Sequence, residues 1–98
     1  MKIYKYQLQI VDSQTIEIMG FLKILSVAIQ SYSDGVESMV LYAVVDTHSP
    51  LITCINIAIV GTGNSFRRSL LESYWKFLGT HSMCNSKLMW HVWYRIGN

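Results

Sequence analysis

Leu88-Met89-Trp90-His91-Val92-Trp93-Tyr94-Arg95-Ile96 is the stretch on which the fold class turns. Leu88, Trp90, Val92, Tyr94 and Ile96 take every second position, and Met89, His91, Trp93 and Arg95 fill the places between. Side chains on a β-strand point alternately to opposite faces, so a period of two describes a strand. A helix would need apolar residues three and four apart. One face of such a strand is normally polar. Here Trp93, with Met89 and His91, makes the second face apolar too, which predicts a second covered surface.

The same period recurs toward the N-terminus. Tyr4, Tyr6, Leu8 and Ile10 alternate with Lys5, Gln7 and Gln9, and Ile16 and Ile18 alternate with Thr15 and Glu17. Strands are therefore expected over Tyr4 to Ile10 and Thr15 to Ile18, separated by a turn at Asp12-Ser13 and stopped at Met19-Gly20. A third runs from Leu22 to Gln30, with Leu25, Val27 and Ile29 on one face. Asp34-Gly35 is the strongest hairpin signal in the chain. Met39 to Val45 is a nearly continuous apolar run, as expected of a central strand covered on both sides. The Asp46 to Pro50 segment reads as a loop, and Ile52 to Val60 as a fifth strand ended by Gly61-Thr62-Gly63-Asn64. Ser65 to Ser73 is the one place for a short helix, with Ser65 as its cap. Tyr74 to Met83 reads as a strand with Gly79 at a bulge, and Asn85-Ser86 turns the chain into the last strand. About seven short strands joined by turns predict a compact antiparallel sandwich or small barrel with one short helix.

The chain has 98 residues, 51% of them hydrophobic and 14% charged. That length suits a single domain over residues 1–98. The composition excludes intrinsic disorder. So small a domain has too little interior for all that apolar surface, so some is expected to face a second copy or a partner. The net charge of +2 is carried by scattered lysines and arginines, with Arg67-Arg68 the only adjacent pair. No clustered basic patch predicts specific nucleic-acid binding. No run is long and apolar enough for a secretion signal or a membrane span. Cys54 and Cys84 lie outside any paired-cysteine motif and are expected as reduced thiols, which suits the cytoplasm.

Several segments carry candidate chemistry. The glycines of Gly61-Thr62-Gly63-Asn64 permit close backbone approach to a ligand, and Arg67 and Arg68 follow at once with two guanidinium forks. These six residues form the candidate anion site, although the loop lacks the Gly-Lys-Ser/Thr ending of a phosphate loop and also reads as a plain tight turn. Trp75, Trp90, His91 and Trp93 form the candidate interface, because tryptophan is enriched where proteins meet. The alternative is a two-sided core with the short helix over the second face. A metal site would have to combine His81, Cys84 and His91 with Cys54, and no spacing demands it. A hydrolase would need Cys84 with His81 or His91 and with Asp46 or Glu72, and no nucleophile motif supports that set. No catalytic residue, metal or cofactor is assigned.

The order of segments also resembles a known group. Lys2-Ile3-Tyr4-Lys5-Tyr6, Gln14-Thr15-Ile16-Glu17, Lys23-Ile24-Leu25-Ser26-Val27, Val44-Val45-Asp46, Gly61-Thr62-Gly63, Leu78-Gly79-Thr80-His81 and Trp90-His91-Val92-Trp93 follow one another. In this the chain resembles a family of short uncharacterised bacteriophage and prophage proteins over nearly its whole length. It departs at Ser31 to Ser38, which is longer, and at Ser65 to Ser73, which is more helical. The resemblance implies a small phage accessory protein in the host cytoplasm and singles out Gly61-Thr62-Gly63 with Trp90-His91-Val92 as a family surface.

The combined expectation is a binder and not an enzyme. It would inhibit a host protein, one of anti-phage defence for example, or sequester a nucleotide signal. The alternative is a structural, oligomeric phage protein without ligand, and a small hydrolase ranks last.

Overall fold

The structure is a computed structural model that describes residues 1–97. Its strands are β1 (Lys2–Leu8), β2 (Ser13–Met19), β3 (Phe21–Ser31), β4 (Glu37–Val45), β5 (Ile52–Gly61), β6 (Lys76–Met83) and β7 (Leu88–Gly97). They form two antiparallel sheets. One has the order β1-β4-β3, the other β2-β5-β7-β6. The layers stack into a flat body whose principal-axis extents are 41 × 38 × 16 Å. This is the antiparallel sandwich that the alternating pattern predicts.

The main core lies between the sheets. β4 contributes Met39, Leu41, Ala43 and Val45; β5 contributes Ile55, Ile57 and Ile59; Ile18, Ile24, Val27, Leu8 and Val92 fill in around them. Trp90 and Tyr94 of β7 pack against this core. That is the face the alternation of β7 assigns to them. Burying an aliphatic side chain of this kind contributes about 1.5–3 kcal/mol, so the inner rows of β4 and β5 dominate the stability of the sandwich.

Three details differ from the period-two reading. β1 stops at Leu8, and Ile10 is exposed in the bend that follows. There the Gln14 side chain bonds both backbone groups of Gln9, at 2.7 and 3.1 Å, and turns the chain. In β3, register shifts between Phe21 and Lys23 and between Ile24 and Ser26 each insert an extra residue. The phase slips, so Ile24 enters the core and Leu25 is exposed. The segment expected as a helix over Ser65 to Ser73 is a single 3-10 turn, Arg68–Leu71, and Arg67, not Ser65, precedes it without a side-chain cap. The bulge at Gly79 is present: the register shifts between Phe77 and Gly79, and Gly79 has φ +114°.

Three connections carry the chain between the sheets, and two of them, β2–β3 and β4–β5, are tied together. Gly20 links β2 to β3 with φ +71°. Its N–H donates to Leu51 O at 2.7 Å and its carbonyl accepts from Asp46 N–H at 2.8 Å. Asp46 and Leu51 bracket the other corner, from β4 to β5. A side chain at Gly20 would collide with the Asp46 carbonyl.

The connection from β5 to β6 positions the candidate site. β7 lies between these strands, so residues 62–75 must pass over the outer face of the four-stranded sheet. Apolar side chains on that crossover have sheet to bury against. Leu70 and Trp75 are buried with Ala58 of β5, and Val60 and Trp93 pack around them in a second, smaller core. No helix of the described residues is long and apolar enough to cross a membrane.

Candidate functional site

The outer face of the four-stranded sheet is read most directly as rows across the strands. Thr15 of β2 faces Asn56 of β5, and Asn56 faces Arg95 of β7. The next row is Ser13, Ala58, Trp93 and Phe77; the one after it holds Val60, His91 and Thr80. The crossover covers the middle of this face and leaves the first row open.

Trp75 closes the crossover and borders that row. The guanidinium carbon of Arg67 lies 5.2 Å from the Trp75 ring centroid, and that of Arg95 also lies 5.2 Å from it. Arg95 lies 5.4 Å from the Tyr74 ring as well. These separations fall within cation–π range. Two cations from distant parts of the chain thus meet at one indole. Among the described residues, Arg95 Nε is buried without a hydrogen-bond partner.

Two hollows meet at Arg67. The polar one, of about 310 Å³, is lined by Ser13, Gln14, Thr15, Asn56, Ile57, Arg67, Trp75 and Arg95. Among the described residues that line it there are two guanidinium groups and no carboxylate. Thr15 Oγ1 donates to Asn56 Oδ1 at 2.7 Å and orients the amide. The second hollow, of about 400 Å³, is mainly apolar, with Ala58, Ile59, Val60, Phe66 and Leu70 along its walls and Asp12, Ser13 and Ser65 adding polar groups. Ser13 and Arg67 belong to both.

The six residues of the sequence-derived anion site do not share one place. Gly61, Thr62, Gly63 and Asn64 form a tight turn closed by Asn64 N–H to Gly61 O at 3.1 Å, with Gly63 at φ +87°. Gly61 is packed so closely that an added Cβ would lie 2.8 Å from Asn64 Nδ2 and 3.0 Å from the Trp90 ring. Gly61 and Asn64 border a small third hollow with Trp90. Arg67 reaches the two larger hollows, whereas Arg68 opens the 3-10 turn and lines neither. Arg95 takes the partner position that the sequence reading gave to Arg68. The one signal that could have found it is its place on the outward row of β7, opposite Asn56.

The four interface candidates also separate. Trp75 is buried in the small core, and Trp90 packs against the main core with its Nε1 buried and unpartnered. Each ring nitrogen of His91 meets a threonine hydroxyl: Nε2 is 2.7 Å from Thr62 Oγ1 and Nδ1 is 2.8 Å from Thr80 Oγ1. Either hydroxyl can donate or accept as the tautomer requires. His91 therefore pins the Gly61 turn to β6. Trp93 is half-buried between two phenylalanines. Phe66 stacks on it with centroids 6.1 Å apart and Phe77 tilts against it at 5.0 Å, and both phenylalanines are about half exposed.

The hydrolase and metal candidates are dispersed. Thr80 faces His91 and the neighbouring His81 faces Trp90, so the two histidines lie on opposite sides of the sheet. Cys84 sits in the β6–β7 turn, where its N–H donates to Glu37 Oε1 at 2.6 Å. Both cysteines are free. Among the described residues, no group of three or more His, Cys, Asp or Glu side chains is disposed to hold a metal ion.

Fold and site together define a two-sheet β-sandwich whose crossover builds a basic, aromatic-walled groove on one outer face. The chain belongs to the family described as a domain of unknown function, DUF7352, which matches residues 1–98. No curated protein and no solved structure matches it.

Proposed function

We propose that the protein acts by binding, and that it holds a small anionic ligand in the groove between Arg67 and Arg95. The observation that carries this reading is the convergence of two guanidiniums on Trp75, each at 5.2 Å, beside a polar lining that among the described residues holds no carboxylate. Guanidinium forks suit phosphate and carboxylate oxygens. The Ser13 hydroxyl and the Asn56 amide nitrogen supply neutral donors around the same space, and Thr15 orients that amide. The likeness of the segment order to phage proteins supports a setting in the cytoplasm of an infected host. There, sequestering a phosphorylated signal molecule needs affinity and no catalytic group. Calorimetric titration with inorganic pyrophosphate tests the reading. The expected result is binding that weakens with salt and is lost in the folded Arg67→Ala/Arg95→Ala protein. Equal binding by wild type and double variant would remove it.

A second reading rests on the Phe66, Trp93 and Phe77 cluster. Its half-exposed rings suit a docking partner, a second copy of the chain or a host protein that is thereby inhibited. Sedimentation of wild type and Trp93→Ala separates the cases. A wild-type oligomer that becomes monomeric on substitution supports self-association through these rings.

A further inference from the structure

Resting on the anion-binding reading, we infer that the ligand is a nucleoside phosphate, with its phosphates in the polar groove and its base in the adjoining apolar hollow. The two spaces share Ser13 and Arg67, so one molecule can occupy both. Their volumes, about 310 and 400 Å³, together match a cofactor-sized ligand. Their chemistry is unlike. One end of the ligand must be anionic, and the other must be apolar over its faces.

The details of the apolar hollow favour a base over a hydrocarbon chain. Phe66 is 49% exposed and lies nearly parallel to Trp93, at 12° between ring planes, so it is a supported flat platform of the kind on which bases stack. The Asp12 backbone is held at this hollow, its carbonyl accepting from Ile59 N–H at 3.2 Å, and its side chain is exposed there. Its carboxylate, with the Ser13 and Ser65 hydroxyls, offers acceptors that an acyl chain would leave unmatched and would dehydrate at a cost. A base edge with adjacent N–H donors matches them. Guanine, with its N1–H and 2-amino group side by side, fits a carboxylate best, so a guanosine phosphate is the expected ligand.

The test is titration with guanosine diphosphate and, separately, with inorganic pyrophosphate. The expected result is at least tenfold tighter binding of the nucleotide. Phe66→Ala and Asp12→Ala should each remove most of that advantage and leave pyrophosphate binding as it was. Both side chains are exposed, and a thermal melt confirms that each variant is folded. If the nucleotide binds no tighter than pyrophosphate, or if both variants keep the advantage, this inference fails while the anion site stands. If neither probe binds, the anion site fails as well. A 5′-phosphorylated guanosine-rich oligoribonucleotide distinguishes the source. Competition no stronger than that of the mononucleotide identifies a free nucleotide; stronger competition identifies the end of a strand.

Discussion

Lys5 and Gln30 are joined across the outer face of the three-stranded sheet by a 3.0 Å hydrogen bond from Lys5 Nζ to Gln30 Oε1. Lys5 lies on β1 opposite Tyr42, and Gln30 lies on β3 opposite Ser38. The bond therefore runs diagonally over β4 and passes above Val40. That residue is only 1% exposed although it points away from the core between the sheets. The burial of Val40 has this local cause: two long side chains lay their stems over the strand, whose other outward residues, Ser38, Tyr42 and Val44, are only half-buried.

The arch predicts an ordering of stabilities. Val40→Ala should cost about 2 kcal/mol, the value of two buried methyl groups with a small cavity. Lys5→Ala should cost under about 1 kcal/mol, because an exposed bond adds little. Lys5→Met should cost less than Lys5→Ala, since it keeps the apolar cover. Denaturant unfolding of the three variants checks the order.

Gly20→Ala should be the most damaging single-methyl addition in the chain. Positive φ alone costs about 1–2 kcal/mol for an alanine, and the new Cβ also meets the Asp46 carbonyl at the tied corner. A total of roughly 3 kcal/mol is expected. Gly35→Ala is the control. It has φ +83° but open space around it, so only the conformational part remains. A pair of unfolding curves with equal midpoints would refute the corner's role.

Leu70→Ala should separate the site from the frame. Leu70 is 2% exposed and belongs to the small core under the crossover. Truncation removes about 2–4 kcal/mol of local packing. Amide exchange should accelerate over residues 66–75 and stay slow in β4 and β5, which belong to the main core. Pyrophosphate affinity should fall because Arg67 and Trp75 are then less firmly held.

Tyr74 should titrate above its ordinary value of 10.0. The Glu72 carboxylate bonded to the phenol raises it most, desolvation raises it further, and Arg95 acts in the opposite direction. The folded state thus favours the protonated phenol. This contribution to stability is complete below pH 10 and is lost as pH rises through the folded value. Phenolate absorbance, taken as the difference between wild type and Tyr74→Phe, reports the titration. Glu72→Gln should lower the midpoint, and Arg95→Ala should raise it.

Much of the frame was legible because alternation is a local property. Trp90, Val92 and Tyr94 point inward, and Trp93 and Arg95 outward, as their positions alone require. Bulges break that rule without any marker in composition, which is why Leu25 read as core and Ile24 did not. The site was less legible because it depends on strand order. Nothing in the local pattern says that β7 separates β5 from β6, yet that placement sends residues 62–75 over the sheet and brings Arg67 to Arg95. Arg68 looked equivalent to Arg67 as one of a pair of neighbours. The turn of the chain gives only Arg67 to the groove.

The crossover also sets how this fold can change. β1 to β5 and the hairpin of β6 and β7 hold the sandwich together through the core between the sheets, to which residues 62–75 add none of the buried side chains. The same residues supply Phe66, Arg67, Leu70 and Trp75 to the hollows on the outer face. On the binding reading proposed above, substitutions at the exposed positions of this one connection should alter what is recognised while the frame folds as before. Within the family, relatives with the same inner rows and different crossovers should share an architecture and, on that same reading, differ in ligand, so specificity can diversify in a segment that lies outside the main core.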